Sequence, residues 1–235
     1  MKIRMRYTKL GKVRFLSHRD VARVWERAIR RAELPIAYSE GFSPRPKLHF
    51  GLALSVGHES IAEYIDIDLR DAVELDGLCG RITAELPDGL EVTALVVLAS
   101  TGEDSLQAIV DLVIWQFTMP GVSAASAQAT LDRLLDQDTL MISVDRKGKL
   151  QDLDLRPVVV DGEVGDETPD GVDVRITLST RPKSVRPGEL LAALDPTWAE
   201  ARVRRLDQLV TSLGTTRPPI PWADSPRPLA LQEVG

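Results

Sequence analysis

The chain has 235 residues, 43% hydrophobic and 27% charged, with a formal net charge of −6, the composition of a soluble globular protein with one large domain or two small ones. No apolar run reaches the roughly 18 residues of a membrane span, and no signal-peptide pattern opens the chain, so a cytoplasmic location is expected. The single cysteine, Cys79, excludes an internal disulfide and a Cys-rich zinc or iron–sulfur site, and the spacings of His18, His49 and His58 match no metal motif, so neither a metal nor a cofactor is expected.

The net charge conceals an asymmetry. Residues 1–50 carry thirteen Lys/Arg against Asp20, Glu26, Glu33 and Glu40, a balance of +9. Residues 51–235 carry 16 basic and 31 acidic residues, a balance of −15. Either the basic segment faces an anionic partner or the two parts of the chain neutralise each other.

In chain order, Lys2 to Tyr7 alternates as a half-buried strand, with Ile3, Met5 and Tyr7 on one face and Lys2, Arg4 and Arg6 on the other. Val13-Arg14-Phe15 extends it. Ser17, three residues before Asp20, is a capping-box-like helix start. Val21, Val24, Trp25, Ala28, Ile29 and Ala32 then recur at helical spacing, while Arg19, Arg23, Arg27, Arg30 and Arg31 fall largely on the other side, and Pro35 marks the exit. Alternation predicts a second strand from Leu48 to Val56 and a third from Glu63 to Leu69, the latter with Ile65, Ile67 and Leu69 inward and Tyr64, Asp66 and Asp68 outward. A helix over 72–86 is expected next, with Cys79 in its core-facing part, and a strand over 91–99. The order β-α-β-β-α-β is that of the split βαβ, ferredoxin-like arrangement.

After a polar break at 101–105 the order restarts. Strands are expected near 109–118, 139–145, 153–160 and 172–179, with helices near 123–136 and, opened by Pro187, 187–194. "DGEVGDETPDG" (161–171) reads as an acidic, flexible hairpin loop, and the Pro-rich 214–235 as a disordered tail. The expected fold is α+β: tandem ferredoxin-like domains with antiparallel sheets, over 1–100 and 106–213.

Chemistry concentrates in "SHRDVARVWERAIRRAELPIAYSEGFSPRPKLHF" (17–50). Pro44 and Pro46 stiffen its loop, Gly41 permits a tight turn, Phe42 offers an aromatic face, and Arg45 and Lys47 add charge. A stiff backbone, an aromatic ring and flanking cations suit a phosphate backbone and stacked bases; the competing reading of Phe42 is a hydrophobic plug. In the split βαβ topology Arg4 and Arg6 lie opposite Asp66 and Asp68, and cross-strand ion pairs would consume them. The expected RNA or partner contacts are therefore Arg19, Arg23, Arg27, Phe42, Arg45 and Lys47, with Ser17 as the structural cap.

No Walker A loop, GxGxxG, nucleophile elbow or HExxH is present, and no catalytic residue is assigned. His18, at the helix start, is either a local structural group or an acid/base group in metal-independent RNA cleavage. Arg156, in "DLDLRPVVV", either anchors a ligand or pairs with Asp152 or Asp154.

"RFLSHRD", "ERAIRRAELPIAYSEGFSPRPKLHFGLALSVGHES" and "AEYIDIDL" resemble the radical-SAM-linked family of uncharacterised proteins, and "DLDLRPVVV" resembles its second block. In that family the domain is fused to a radical SAM protein or encoded separately. Without a CxxxCxxC motif this chain resembles the separate form, which implies a partner or substrate adaptor for a separately encoded radical SAM protein. The paired arrangement is also similar, at the level of fold, to RNA-processing proteins of CRISPR systems, whose Gly-rich C-terminal loop has no counterpart among residues 171–213, where Gly171 and Gly188 are the glycines present. The reading that follows is a non-catalytic RNA-binding or adaptor protein, possible RNA contacts included. The alternatives are a metal-independent endoribonuclease and a protein-only interaction module whose basic face meets an acidic partner.

Overall fold

The computed structural model describes residues 1–98, 104–145, 148–182, 184–195, 198, 201–212 and 214–220. The fold is α+β, with sheets whose recorded strand pairs are antiparallel. The chain divides into two compact units, residues 1–110 with 207 onward, and residues 111–206.

The first unit runs β1 (Lys2–Lys9), α1 (His18–Arg31), β2 (Leu48–Phe50), β3 (Glu59–Asp68), α2 (Leu78–Thr83), β4 (Val92–Val97) and the short helix α3 (Leu106–Ile109). β1 lies between β4 and β3, and β2 pairs with β3, which are the strand neighbours of a split βαβ arrangement. Ile3, Met5 and Tyr7 of β1 and Ile65 and Ile67 of β3 form one face. Against them pack Val21, Trp25 and Ile29 of α1 and Leu78 and Ile82 of α2. Trp25 is fully buried and meets the Tyr7 ring edge-on at 4.9 Å.

The other face of this sheet is covered as well. Leu106 of α3 and Ile220 pack on Ala62 and Tyr64, with Ala94, Val96 and Ile109 beside them. Tyr64 and Asp66, expected to point into solvent, are therefore buried, at 1% and 2% exposure. Alternation identifies which side chains share a face, whereas what covers that face depends on distant chain. The same covering corrects the tail: residues 215–217 form a strand paired with 210–212, and Ile220 is core. The remainder of the expected tail, 221–235, lies outside the described residues.

Two further expectations shorten. The second strand ends at Phe50 rather than Val56, and the second helix begins at Leu78 rather than at 72. Leu75 is exposed, so the apolar stripe has something to pack against only from Leu78 onward. Cys79 is part-buried and packs against this core, and burial raises its thiol pKa.

The second unit runs β5 (Leu112–Met119), α4 (Ala124–Asp136), β6 (Met141–Asp145), β7 (Leu150–Asp154), β8 (Val159–Thr168), β9 (Gly171–Ser179) and α5 (Pro187–Leu194), and enters β10 (Arg202–Ser212). β11 (Thr215–Arg217) follows in the first unit. The order β10-β5-β9-β8 repeats the neighbours of the first unit, with β6–β7 inserted as a separate hairpin. The unit boundary falls inside β10, between Leu206 and Asp207, and so differs from the expected limits of 106 and 213.

The hairpin expected at 161–171 is present, but it is paired nearly to its tip: these residues form most of β8 and the turn into β9. Their glycines serve packing: a Cβ at Gly162 would lie 2.6 Å from Leu131 Cδ1 of α4. Glu163 pairs across the strands with Arg175. β10 carries three arginines and an aspartate in eleven residues, and this polarity hides a strand in which Arg205, Asp207 and Gln208 are all buried. Among the described residues the Arg156 side chain forms no ion pair with Asp152 or Asp154. Its guanidinium donates to the carbonyls of Leu135, Gln137 and Val159, closing the C-terminal end of α4.

Candidate nucleic-acid interface

The site begins with the start of α1. Ser17 Oγ accepts from Asp20 N at 3.2 Å and donates to the Asp20 carboxylate at 2.7 Å, fixing the first turn. The Ser17 hydroxyl holds the Asp20 carboxyl below its ordinary range; desolvation opposes it, and Arg23 and Arg19 add to the lowering. From this start Arg19, Arg23 and Arg27 recur every four residues and are exposed. At 1.5 Å per residue they form a stripe about 12 Å long. Arg30 and Arg31 continue the outer surface of the last turn.

The stripe keeps its charge. Arg23 approaches Asp20 at 3.5 Å, with its side chain 64% exposed, and Arg31 reaches Glu85 only at 3.9 Å. Among the described residues Arg19, Arg27, Arg45 and Lys47 form no ion pair. Arg4 does the opposite: it opposes Asp66 in the β1–β3 register and grips it through Nε–Oδ1 at 2.7 Å and a second bond at 2.9 Å. The expected cross-strand neutralisation thus happens at Arg4, whereas Arg6 lies opposite Tyr64, and Asp68 lies opposite Lys2 and meets His49 at 3.2 Å.

After Ala32 the chain turns at Glu33, with φ 55, and Leu34 N bonds back to Ile29 O. It then builds a braced excursion. Tyr38 bridges Pro46; Ser39 N donates to Arg45 O at 2.8 Å, and Arg45 N donates to Ser39 Oγ at 3.0 Å. Lower down, Ala37 N bonds Asp68 O and Lys47 N bonds Ala37 O. Gly41, with φ +123, makes the tip. Phe42 stands there wholly exposed, so it plugs nothing in its own chain, and Arg45 and Lys47 flank it in the open.

The structure thus gathers Arg19, Arg23 and Arg27 on one helix stripe and Phe42, Arg45 and Lys47 on one hairpin. The two groups are joined where the C-terminal half of α1 meets the hairpin stem, at Arg30 and Tyr38. His18 is exposed and rests edge-on against Phe50 at 5.2 Å. Among the described residues no group of three His, Cys, Asp or Glu could hold a metal.

Sequence reasoning missed three contributors. Phe15, read as part of a strand, lies in a short 3-10 turn, 61% exposed, with the Arg14 guanidinium 4.6 Å over its ring. Tyr38 and Arg70 come together only through the fold. For Tyr38 the signal was an aromatic residue directly before a Ser/Gly/Pro loop; for Arg70 there was none.

Residues 2–187 match the family described as "Uncharacterized protein conserved in bacteria (DUF2344)". The chain belongs to this family. No curated protein matches it. Among solved structures it is similar to a chain of a Cbf5-Nop10-Gar1 complex, at 10% identity and a TM-score of 0.48, over 88% of this chain and 48% of that one. The chain thus spans about half the length of that solved relative. No helix of the described residues is long and apolar enough to cross a membrane.

Proposed function

We propose that this member of the family is a non-catalytic RNA-binding adaptor that presents RNA to a separately encoded radical SAM protein. The observation that carries the RNA part is the exposed stripe Arg19, Arg23 and Arg27, which no carboxylate outside its own helix pairs with among the described residues, set beside a braced hairpin that holds Phe42 in the open. Guanidinium groups take phosphate oxygens in bidentate fashion, and an exposed ring on a stiff loop loses little freedom when a base stacks on it. The radical SAM partner rests on the resemblance carried by the block from Arg14 to Leu69. The adaptor role follows from the pairing of that resemblance with a surface that binds a substrate strand.

Filter binding of single-stranded RNA against salt tests the reading. Each lost phosphate contact flattens the log–log salt slope by about 0.7, so Arg19→Gln/Arg23→Gln/Arg27→Gln is expected to flatten it by about 2. An unchanged slope overturns the assignment of this stripe. Incubation with RNA in EDTA, beside His18→Ala, tests the non-catalytic part: cleavage by the wild type that the variant loses would make the protein a ribonuclease.

A further inference from the structure

Between the C-terminal half of α1 and the hairpin stem lies a cleft of about 160 Å³. Its floor is apolar, formed by the buried Ile29, Leu34 and Ile36. Tyr38, about half exposed, and Pro46 make one wall. Arg30 and Arg70 stand exposed at the rim, and the half-buried Glu26 is the one carboxylate in the lining. Glu26 and Arg30 are four residues apart on α1, the spacing at which such side chains usually pair, yet no ion pair joins them among the described residues. Both charged heads are therefore available to a ligand.

We infer that this cleft receives one base of the bound RNA strand and prefers guanine; the inference rests on the RNA reading above. An apolar floor with an aromatic and a proline wall suits a flat ring taken out of its stack. The polar groups then select among the rings. A carboxylate only accepts hydrogen bonds, so Glu26 favours an edge rich in donors. Guanine offers two adjacent donors, N1–H and the N2 amino group, to the two oxygens of one carboxylate. Uracil offers a single ring N–H between two carbonyls, which would repel it. The rim acts in the same sense, because a guanidinium pairs bidentately with guanine O6 and N7. An adenine, with its amino group beside N7, would set a donor against that arginine. Whichever arginine does not read the base is left for the adjoining phosphate, in line with the stripe along α1.

The test is fluorescence anisotropy on the full chain with labelled U-rich decamers carrying one central G, A, C or U. The G-containing strand is expected to bind about tenfold more tightly than the all-U strand. Glu26→Gln, which keeps the shape of the side chain, is expected to reduce that preference to about twofold, weakening the G-containing strand and no longer repelling the carbonyls of the all-U strand. Tyr38→Ala is expected to weaken the G-containing strand selectively. Salt-sensitive binding with equal affinity for all four strands, or a G preference that survives Glu26→Gln, overturns the cleft assignment and leaves the arginine stripe standing. Absence of binding to every strand overturns the RNA reading and the cleft with it. A thermal melt of each variant that superimposes on the wild type shows that any change belongs to the cleft and not to unfolding.

Discussion

Arg4 and Arg19 belong to the same +9 segment, and their side chains have opposite fates. Arg4 is 3% exposed and doubly bonded to Asp66; Arg19 stands in solvent with no ion pair among the described residues. The difference comes from secondary structure. A strand inside a sheet presents alternate residues to each face, and here both faces of β1 are covered, so Arg4 and Arg6 are buried. An amphipathic helix lying on that sheet keeps a full outer side for water, and α1 places its arginines there. The two regions therefore separate charge that holds the fold from charge that is free to bind.

The sharpest test of this separation removes one cation from each region. A buried pair that loses one partner leaves an uncompensated charge and costs about 3–5 kcal/mol. Arg4→Met is expected to lower the unfolding free energy by that amount in urea titration. Arg4→Met combined with Asp66→Leu is expected to recover most of it, since no unpaired charge remains. Arg19→Gln is expected to change stability by less than about 0.5 kcal/mol. Equal effects at positions 4 and 19 would erase the distinction.

The buried side of the comparison also carries a pH dependence. Tyr64 shares the covered face with Arg6 and donates to Asp207 Oδ1 at 3.5 Å. Burial raises its pKa well beyond the usual phenol range; the Asp207 carboxylate adds to this, and Arg6 opposes it. The folded chain thus keeps a proton that the unfolded chain releases near pH 10. The stabilisation is fully present below that pH and falls by about 1.4 kcal/mol for each pH unit above it. Urea midpoints taken from pH 9 to 11.5 are expected to fall with this added slope in the wild type and without it in Tyr64→Phe. Parallel curves for the two proteins would mean that Tyr64 titrates normally in the fold.

These positions also show how much of the molecule is legible in sequence. The Arg4–Asp66 pairing follows from the split βαβ order alone, because that order makes β1 and β3 neighbours and alternation does the rest. The cap at Ser17, the core face of α1 and the exposed arginine stripe follow from local periodicity, as do α4 and α5. What fails is whatever depends on distant covering. Nothing near Tyr64 in the sequence announces Leu106 or Ile220, and nothing local shows that the acidic run at 161–168 finds a partner strand. β10 escaped because buried polar residues read as surface. In the site, the stripe and the hairpin were legible as separate motifs; the cleft between them, with Arg70 in it, exists only after folding.

The smallest effect falls on the exposed side, at the cap that positions the stripe. Ser17→Ala removes the acceptor for Asp20 N and is expected to cost about 1 kcal/mol. It also removes the hydroxyl that does most to hold the Asp20 carboxyl down, so an NMR titration should find that carboxyl nearer its ordinary range, with Arg23 and Arg19 still pulling the same way. Because Asp20 is depressed in the folded chain, the interaction contributes at neutral pH and fades as pH falls through the folded value. The stability gap between wild type and Ser17→Ala is accordingly expected to narrow on acidification. A gap that stays constant from pH 7 to pH 3 would assign the cap to the backbone bond alone. RNA affinity in this variant is expected to fall less than in Arg19→Gln, since a frayed first turn blurs the placement of one arginine and leaves Arg23 and Arg27 where they are.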